Sequence, residues 1–111
     1  MRILPLALIL ALAAAAPAAG ATRNIKIGDD YYVRAGSPPT VKVKKGTKVK
    51  WNWTGRRSHN VVVQRGPASF QSALKRTGSY KRKLRKRGRY RIVCSIHAPD
   101  MAMTLKVRRR S

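Results

Sequence analysis

The chain has 111 residues, with 26 Lys and Arg against three Asp and no Glu, and its formal net charge is +23. This length leaves room for one small domain and excludes a second. A single cysteine excludes a disulfide within the chain, and charge of this sign and size attracts polyanionic partners.

Residues 1–21 have the pattern of a secretory signal peptide. Arg2 gives a positive start, residues 4–16 form an apolar run interrupted by Pro5, and small residues at 19–21 fit a cleavage site. The run is shorter than the roughly 20 residues that a membrane span needs, although an uncleaved anchor is the alternative. We therefore expect export to the periplasm or the cell exterior, with residues 22–111 as a mature domain of net charge about +22.

Two strands are predicted next, over residues 40–44 and 47–53. Apolar residues occupy the odd positions of both segments and lysines occupy most even positions, which is typical of strands with one buried face. Lys45-Gly46 interrupts the pattern and predicts a hairpin turn between the two strands. Both tryptophans of the chain fall on the apolar face and are expected in the core.

Three further strands can be located from the same alternation. They cover residues 60–64, the residues that lead up to Cys94, and residues 103–107, with Gly and Pro clusters between them. About seven or eight short strands in a domain of this size predict an all-β sandwich or barrel. The arginines at 108–110 are expected to form a basic C-terminal tail.

The residues with distinctive chemistry are Cys94, His97 and Met101, together with His59 upstream. In an exported protein, a lone thiol pairs with another chain, reacts, or binds a metal. One thiolate, two imidazoles and one thioether suit a soft, redox-active copper ion. Cys94 ends an alternating strand and should point inward, whereas His59 comes from a different segment, so a rigid sheet would fix both.

Two other chemistries could use part of the same set. Zinc could be held by a tetrahedral set of oxygen, nitrogen and sulfur ligands, formed here by His59, Cys94, His97 and Asp100. A thioether at Met101 would add nothing for zinc, so copper is favoured. A Cys–His pair can also form a nucleophile, but no orienting acid or oxyanion-hole segment is evident in the sequence.

Three segments of the chain resemble the plastocyanin, amicyanin and pseudoazurin group of cupredoxins. They are the strand pair at 40–53, the segment Ser58-His-Asn-Val61, and the segment Gly88-Arg-Tyr-Arg-Ile-Val-Cys-Ser-Ile-His97. The resemblance covers nearly all of residues 24–108. It implies a single Greek-key β-sandwich that holds one copper ion in a type 1 blue copper site.

The resemblance also implies a role for each residue of the site. His59 and His97 would be imidazole ligands, Cys94 the thiolate ligand and Met101 the weak axial thioether. Asn60 and Ser95 would hydrogen-bond to each other and join the two ligand loops, because such outer contacts orient metal ligands.

The axial position departs from the family spacing. His97 and Met101 are four residues apart, whereas amicyanin-like loops use three and plastocyanin-like loops use five. Met103 lies where the family usually has glycine, and it shares the strand phase of Met101. We favour Met101 as the axial ligand and Met103 as a core residue beneath the site.

The resemblance implies an electron carrier, not an enzyme, that shuttles single electrons by Cu(II)/Cu(I) cycling. The edge of His97 would be the exit, within a small apolar patch of Ile96, Ala98 and Pro99. The expected partners are redox proteins, with acidic ones favoured by the charge. Anionic envelope polymers or a membrane surface are the alternative partners. Nucleic acid is not expected for an exported monomer. The alternatives are a copper-buffering module and a basic envelope-interaction module without a redox partner.

Overall fold

Seven β-strands form the regular structure of residues 21–32 and 38–110, which are the residues that the computed structural model describes. The predicted signal peptide, up to residue 20, lies outside these residues. Within them, no helix has the length and apolar character needed to cross a membrane. The strands are β1 (Thr22–Ile27), β2 (Thr40–Lys44), β3 (Lys48–Trp53), β4 (Val62–Arg65), β5 (Ser79–Lys83), β6 (Gly88–Val93) and β7 (Ala102–Arg108).

The strands form two sheets that enclose one apolar core. One sheet has the order β1-β3-β5 and the other has the order β2-β7-β6-β4. The pairs β1–β3 and β2–β7 are parallel, and the remaining pairs are antiparallel. The predicted all-β sandwich is therefore confirmed.

The predicted hairpin between β2 and β3 is wrong, because the two strands lie in different sheets. Lys45-Gly46 instead carries the chain across the core from one sheet to the other. The N–H of Lys45 donates to the carbonyl of Arg108 at 2.7 Å, and that of Gly46 donates to the carbonyl of Leu84 at 2.7 Å. Alternation shows which face of a strand is buried, and both strands do bury the predicted face, but it does not show which strand is the neighbour.

The strand predicted at 60–64 begins two residues later, at Val62. The preceding residues pair with the segment around residues 72–75 instead of with β6. The N–H of Val61 donates to Ser72 Oγ at 2.9 Å, and His59 and Lys75 exchange two backbone hydrogen bonds. Because of these contacts, the segment from His59 to Val61 lies outside the sheet.

The core contains both tryptophans, as the alternation predicted. Trp51 is fully buried and Trp53 is 8% exposed. The Trp51 ring packs against those of Phe70 and Tyr80, with centroid distances of 6.0 and 5.9 Å. Burial of large aromatic side chains contributes strongly to the stability of a small domain.

β6 and β7 define the two ends of the sandwich. Their antiparallel register pairs Val93 with Ala102 at one end and Gly88 with Val107 at the other. Residues 94–101 connect the strands at the first end, which we call the loop end. The opposite end, which we call the far end, is about 17 Å away, since a strand rises about 3.3 Å per residue.

Candidate metal centre

Cys94 and Met101 extend the β6–β7 ladder by one step at the loop end. The N–H of Cys94 donates to the carbonyl of Met101 at 3.2 Å. Within the loop, the N–H of His97 donates to the carbonyl of Cys94 at 3.2 Å, and that of Met101 donates to the carbonyl of His97 at 3.1 Å. The loop between Cys94 and Met101 is thus closed by its own backbone, and its position is fixed by the sheet.

The strand register separates the two methionines. Met103 pairs with Ile92, and the next pair toward the loop end is Val93 with Ala102. Met101 therefore lies across from Cys94, and residues across from each other share one face of a sheet. Both methionines are buried, but Met103 lies two residues deeper in the core. The register favours Met101 as the thioether donor.

His59 is held at the loop end by its backbone. Its N–H donates to the carbonyl of Lys75 at 3.0 Å, and its carbonyl accepts the N–H of Lys75 at 3.1 Å. The indole Nε1 of Trp53 donates to the same carbonyl at 3.0 Å. The side chain of His59 is fully buried, so its ring has a fixed position beside Cys94.

The donor atoms of His59, Cys94 and His97 converge within 4.8 Å of one another. Cys94 Sγ lies 4.0 Å from His59 Nδ1 and 3.4 Å from His97 Nδ1. Cys94 is fully buried, whereas 25% of the His97 side chain is exposed. A sulfur and two imidazole nitrogens that converge at a largely buried position fit a copper ion.

Asp100, the fourth zinc ligand considered above, is not in this cluster. Among the described residues, the group of His, Cys and acidic donors that could hold one metal contains only His59, Cys94 and His97. A tetrahedral zinc site of the proposed composition is therefore not assembled here, which favours copper.

Asn60 and Ser95 join the two ligand segments by two hydrogen bonds. Asn60 Nδ2 donates to Ser95 Oγ at 2.9 Å, and the N–H of Ser95 donates to Asn60 Oδ1 at 2.8 Å. The Tyr32 hydroxyl donates to the backbone carbonyl of Asn60 at 2.8 Å. Burial raises the pKa of Tyr32 above its ordinary value, so this hydroxyl keeps its proton and remains a donor.

Two carboxylates near the site were missed in the sequence. Asp29 Oδ1 lies 3.4 Å from His59 Nε2, and Asp30 Oδ1 lies 3.3 Å from His97 Nε2. The sequence around them, Gly28-Asp29-Asp30, indicates a turn and gives no sign of a metal site. The acids were nevertheless visible as two of the three in the chain, directly after an alternating segment.

The structure also explains how β1 brings these acids to the site. The parallel pair β1–β3 places Ile27 beside Trp53, so the segments that follow the two strands run side by side. The carboxylate of Asp29 accepts hydrogen bonds from the N–H groups of Arg56 and Arg57, each at 2.9 Å. The bond from Arg57 is the main cause that lowers the pKa of Asp29.

Comparisons with known proteins agree with this geometry. The family described as copper binding proteins, plastocyanin/azurin family, matches residues 23–108. No individual curated protein gives a significant match to the chain.

Solved structures of amicyanin match most of the chain. An oxidised proline-to-glycine variant of amicyanin is 26% identical, with a TM-score of 0.61 over 84% of this chain and 87% of that one. Another proline-to-glycine variant, in the reduced Cu(I) form at pH 4, is 24% identical, with a TM-score of 0.62 over 83% and 87% of the two chains.

A larger enzyme contains the same fold. The Cu-containing nitrite reductase from Thermus scotoductus is 20% identical, with a TM-score of 0.67. The match covers 81% of this chain but only 23% of that enzyme, so this chain corresponds to about a quarter of it and the likeness shows the fold alone. The family match confirms the resemblance to cupredoxins and copper as the cofactor. The chain belongs to the plastocyanin/azurin family of copper-binding proteins.

Proposed function

We propose that the protein carries single electrons between redox partners through one type 1 copper ion. The observation that supports this most directly is the convergence of Cys94 Sγ with the Nδ1 atoms of His59 and His97 at a largely buried position. Bound copper supplies a one-electron Cu(II)/Cu(I) couple at such a set of ligands. The residues of the chain hold the ligands in place and provide the exit for electrons.

The chain holds the proposed ligands in one arrangement. Cys94 and Met101 are fixed by the β6–β7 ladder, and His59 by its paired bonds to Lys75. The Asn60–Ser95 hydrogen bonds join these two parts. Ligands on rigid elements move little when the oxidation state changes, which suits fast electron transfer without chemical conversion of a substrate. We therefore propose no catalytic role for this domain.

The exit for electrons is the exposed edge of His97. One quarter of its side chain reaches the surface, and the neighbouring Ile96 is 54% exposed. Ala98 and Pro99 are also exposed. An exposed apolar patch at a functional loop is typical of a docking surface, so a redox partner would meet the protein here.

Reversible redox cycling tests this function against copper buffering. The copper-loaded domain, residues 22–111, is expected to be reduced and reoxidised repeatedly at an electrode with one electron per molecule and without loss of metal. The Cys94→Ser variant should lose this response. A wild type that binds copper tightly but releases it on reduction would instead be a buffering module.

A second candidate function, adhesion to an anionic envelope polymer, is favoured by a groove at the far end of the sandwich. Its volume is about 710 Å³. The residues that line it are Lys45, Gly46, Arg85, Arg87, Arg109 and Arg110. All its charged residues are cationic, and a cationic concavity concentrates polyanions. The copper end would remain free in a protein bound through this groove.

Binding to an anionic cell-wall polymer, with polyglutamate as the simple probe, tests this second candidate. Replacement of Arg85, Arg87 and Arg109 by Gln should weaken binding much more than replacement of Lys26, Lys42 and Lys50, which lie on strands outside the groove. The metal-free Cys94→Ser variant should bind as well as wild type. Equal losses in the two triple variants would show that net charge alone causes the binding.

We also propose that the protein is an exported monomer, cleaved after Ala21. Residues 1–21 carry the pattern of a signal peptide, and the exported domain would begin at Thr22. N-terminal sequencing of the protein from its native cell envelope and sedimentation of the purified domain test these two points.

A further inference from the structure

The outer nitrogens of both histidines face carboxylates. His59 Nε2 lies 3.4 Å from Asp29 Oδ1, and His97 Nε2 lies 3.3 Å from Asp30 Oδ1. In both rings the opposite nitrogen, Nδ1, is the one turned toward Cys94 Sγ. Two consecutive residues thus contact the two proposed imidazole ligands in the same way.

The turn that carries these acids is built to hold them in place. The N–H of Gly28 donates to the carbonyl of Tyr31 at 2.9 Å, so residues 29 and 30 form the tip of a tight turn. Asp30 has a positive φ of 70°, which aspartate tolerates better than most residues. Residues held in rarely populated conformations cluster at functional sites.

Asp29 is fixed more firmly than its exposure suggests. Its carboxylate accepts the N–H groups of Arg56 and Arg57, although 38% of its side chain is exposed. A Cβ atom at position 55 would collide with this carboxylate, so glycine at that position leaves room for it. Asp30 has one exposed partner, Arg57 Nη1 at 3.7 Å, and an exposed pair of this length contributes little.

We propose that Asp29 and Asp30 are positioning residues that hold both imidazoles with Nδ1 toward the metal and favour Cu(II) over Cu(I). This inference rests on the proposed function, since it assumes that the two Nδ1 atoms bind copper. A carboxylate that accepts the Nε2–H fixes the tautomer and the ring orientation, and makes the imidazole a stronger donor. Its negative charge also stabilises the more positive metal ion.

The distribution of charge in the chain gives independent support. The chain has three acidic residues against 26 basic ones. Two of the three contact the proposed copper ligands, and the third, Asp100, lies in the loop between His97 and Met101. Asp29 and Asp30 lie within 3.4 Å of the proposed imidazole ligands.

The test compares single Asp→Asn variants of the copper-loaded domain. Asn has the same shape and keeps an acceptor oxygen for Arg56 and Arg57, so Asp29→Asn and Asp30→Asn remove mainly charge. The matched control is Asp100→Asn, which removes one charge at the same end. Among the described residues, the Asp100 carboxylate has no hydrogen-bond or ion-pair partner.

The readouts are the affinities for Cu(II) and Cu(I), measured by competition with chelators, and the midpoint potential. NMR of the imidazole nitrogens in the Cu(I) form reports the tautomer of each ring directly. We expect Asp29→Asn and Asp30→Asn each to weaken Cu(II) binding about tenfold, with little effect on Cu(I). A tenfold selective loss raises the potential of a one-electron couple by about 59 mV.

Shifts in Asp29→Asn and Asp30→Asn no larger than those in Asp100→Asn would overturn the inference and leave only a general effect of charge. If wild type shows a blue, reversible copper site but the variants match the control, the proposed function survives and only this inference fails. If wild type shows no thiolate-dependent copper colour, both fail. Thermal unfolding of each variant shows whether a loss of copper binding reflects a loss of folding.

Discussion

Strand register favours Met101 over Met103 as the axial ligand. The sequence places Met101 and Met103 in the same strand phase, so alternation cannot separate them. Register does separate them, because Met103 pairs with Ile92 while Met101 lies across from Cys94. The distinction gives a direct test at the level of one residue.

We expect Met101→Gln to keep copper but to change its visible spectrum and lower its potential, since the axial ligand tunes a type 1 site. Met103→Leu, a volume-conserving change in the core, should leave the spectrum unchanged and cost less than about 1.5 kcal/mol of stability. Spectra, voltammetry and thermal unfolding of the two variants measure these effects. The opposite pattern would make Met103 the axial ligand.

Tyr32 gives a second prediction, on stability. Its hydroxyl donates to the buried carbonyl of Asn60, so Tyr32→Phe leaves that carbonyl without this partner. The expected loss in the free energy of unfolding is about 1–3 kcal/mol. Tyr80→Phe is the control, because among the described residues the Tyr80 hydroxyl has no hydrogen-bond partner. Urea unfolding measures both, and equal losses would show that the Tyr32 hydrogen bond contributes nothing specific.

The same tyrosine predicts how stability depends on pH. Burial raises the pKa of Tyr32 in the folded state, so the unfolded state loses this proton more readily. Stability contributed by Tyr32 is therefore present below the ordinary tyrosine pKa of about 10 and falls as the pH rises above it. In unfolding measured from pH 8 to 11, the wild type should lose stability more steeply than Tyr32→Phe. Parallel curves would contradict this.

At the level of strands and loops, the sequence predicted local features better than pairing. The segment ending at Cys94 and the burial of both tryptophans follow from alternation, because each depends on residues close in sequence. The β2–β3 hairpin was wrong, and Asp29 and Asp30 were missed, because both depend on contacts between distant segments. The acids reach the site only because β1 pairs in parallel with β3, and no local pattern indicates that pairing.

Two glycines, one at each end of the sandwich, test whether the potential of the metal site depends on the loop end alone. Gly46 lies in the crossing between the sheets with a φ of +93° and has open space around it, so Gly46→Ala should cost about 1–2 kcal/mol through backbone strain alone. Gly55→Ala should push the Asp29 carboxylate away from His59 and change the potential. Unfolding and voltammetry separate the two effects. A changed potential in Gly46→Ala would contradict the assignment of that turn to the far end.

Across the whole molecule, basic residues occur at both ends, but the cationic groove is separate from the metal site. The cationic groove lies at the far end, where Lys45 bonds to the carbonyl of Arg108, and the three acidic residues belong to the loop end. A net charge of this size steers encounters with acidic partners over long distances. In the proposed function, apolar contact at His97 and electrostatic attraction elsewhere would act independently.

Rates of electron transfer should depend strongly on salt. With an acidic redox partner, the second-order rate is expected to fall steadily as ionic strength rises, whereas with a basic partner it should rise. Stopped-flow mixing from low salt to about 0.5 M, where the Debye length is only ~4 Å, measures this. A flat rate with the acidic partner over this range would leave the charge without a role in steering.

Type 1 copper binding by Cys94, His59 and His97 is best tested by the visible spectrum of the Cu(II)-loaded domain. We expect an intense blue colour from charge transfer between the Cys94 thiolate and Cu(II), which is lost in Cys94→Ser and retained in Met103→Leu. A colourless wild type with Cu(II) bound, or a blue colour that persists in Cys94→Ser, would contradict it.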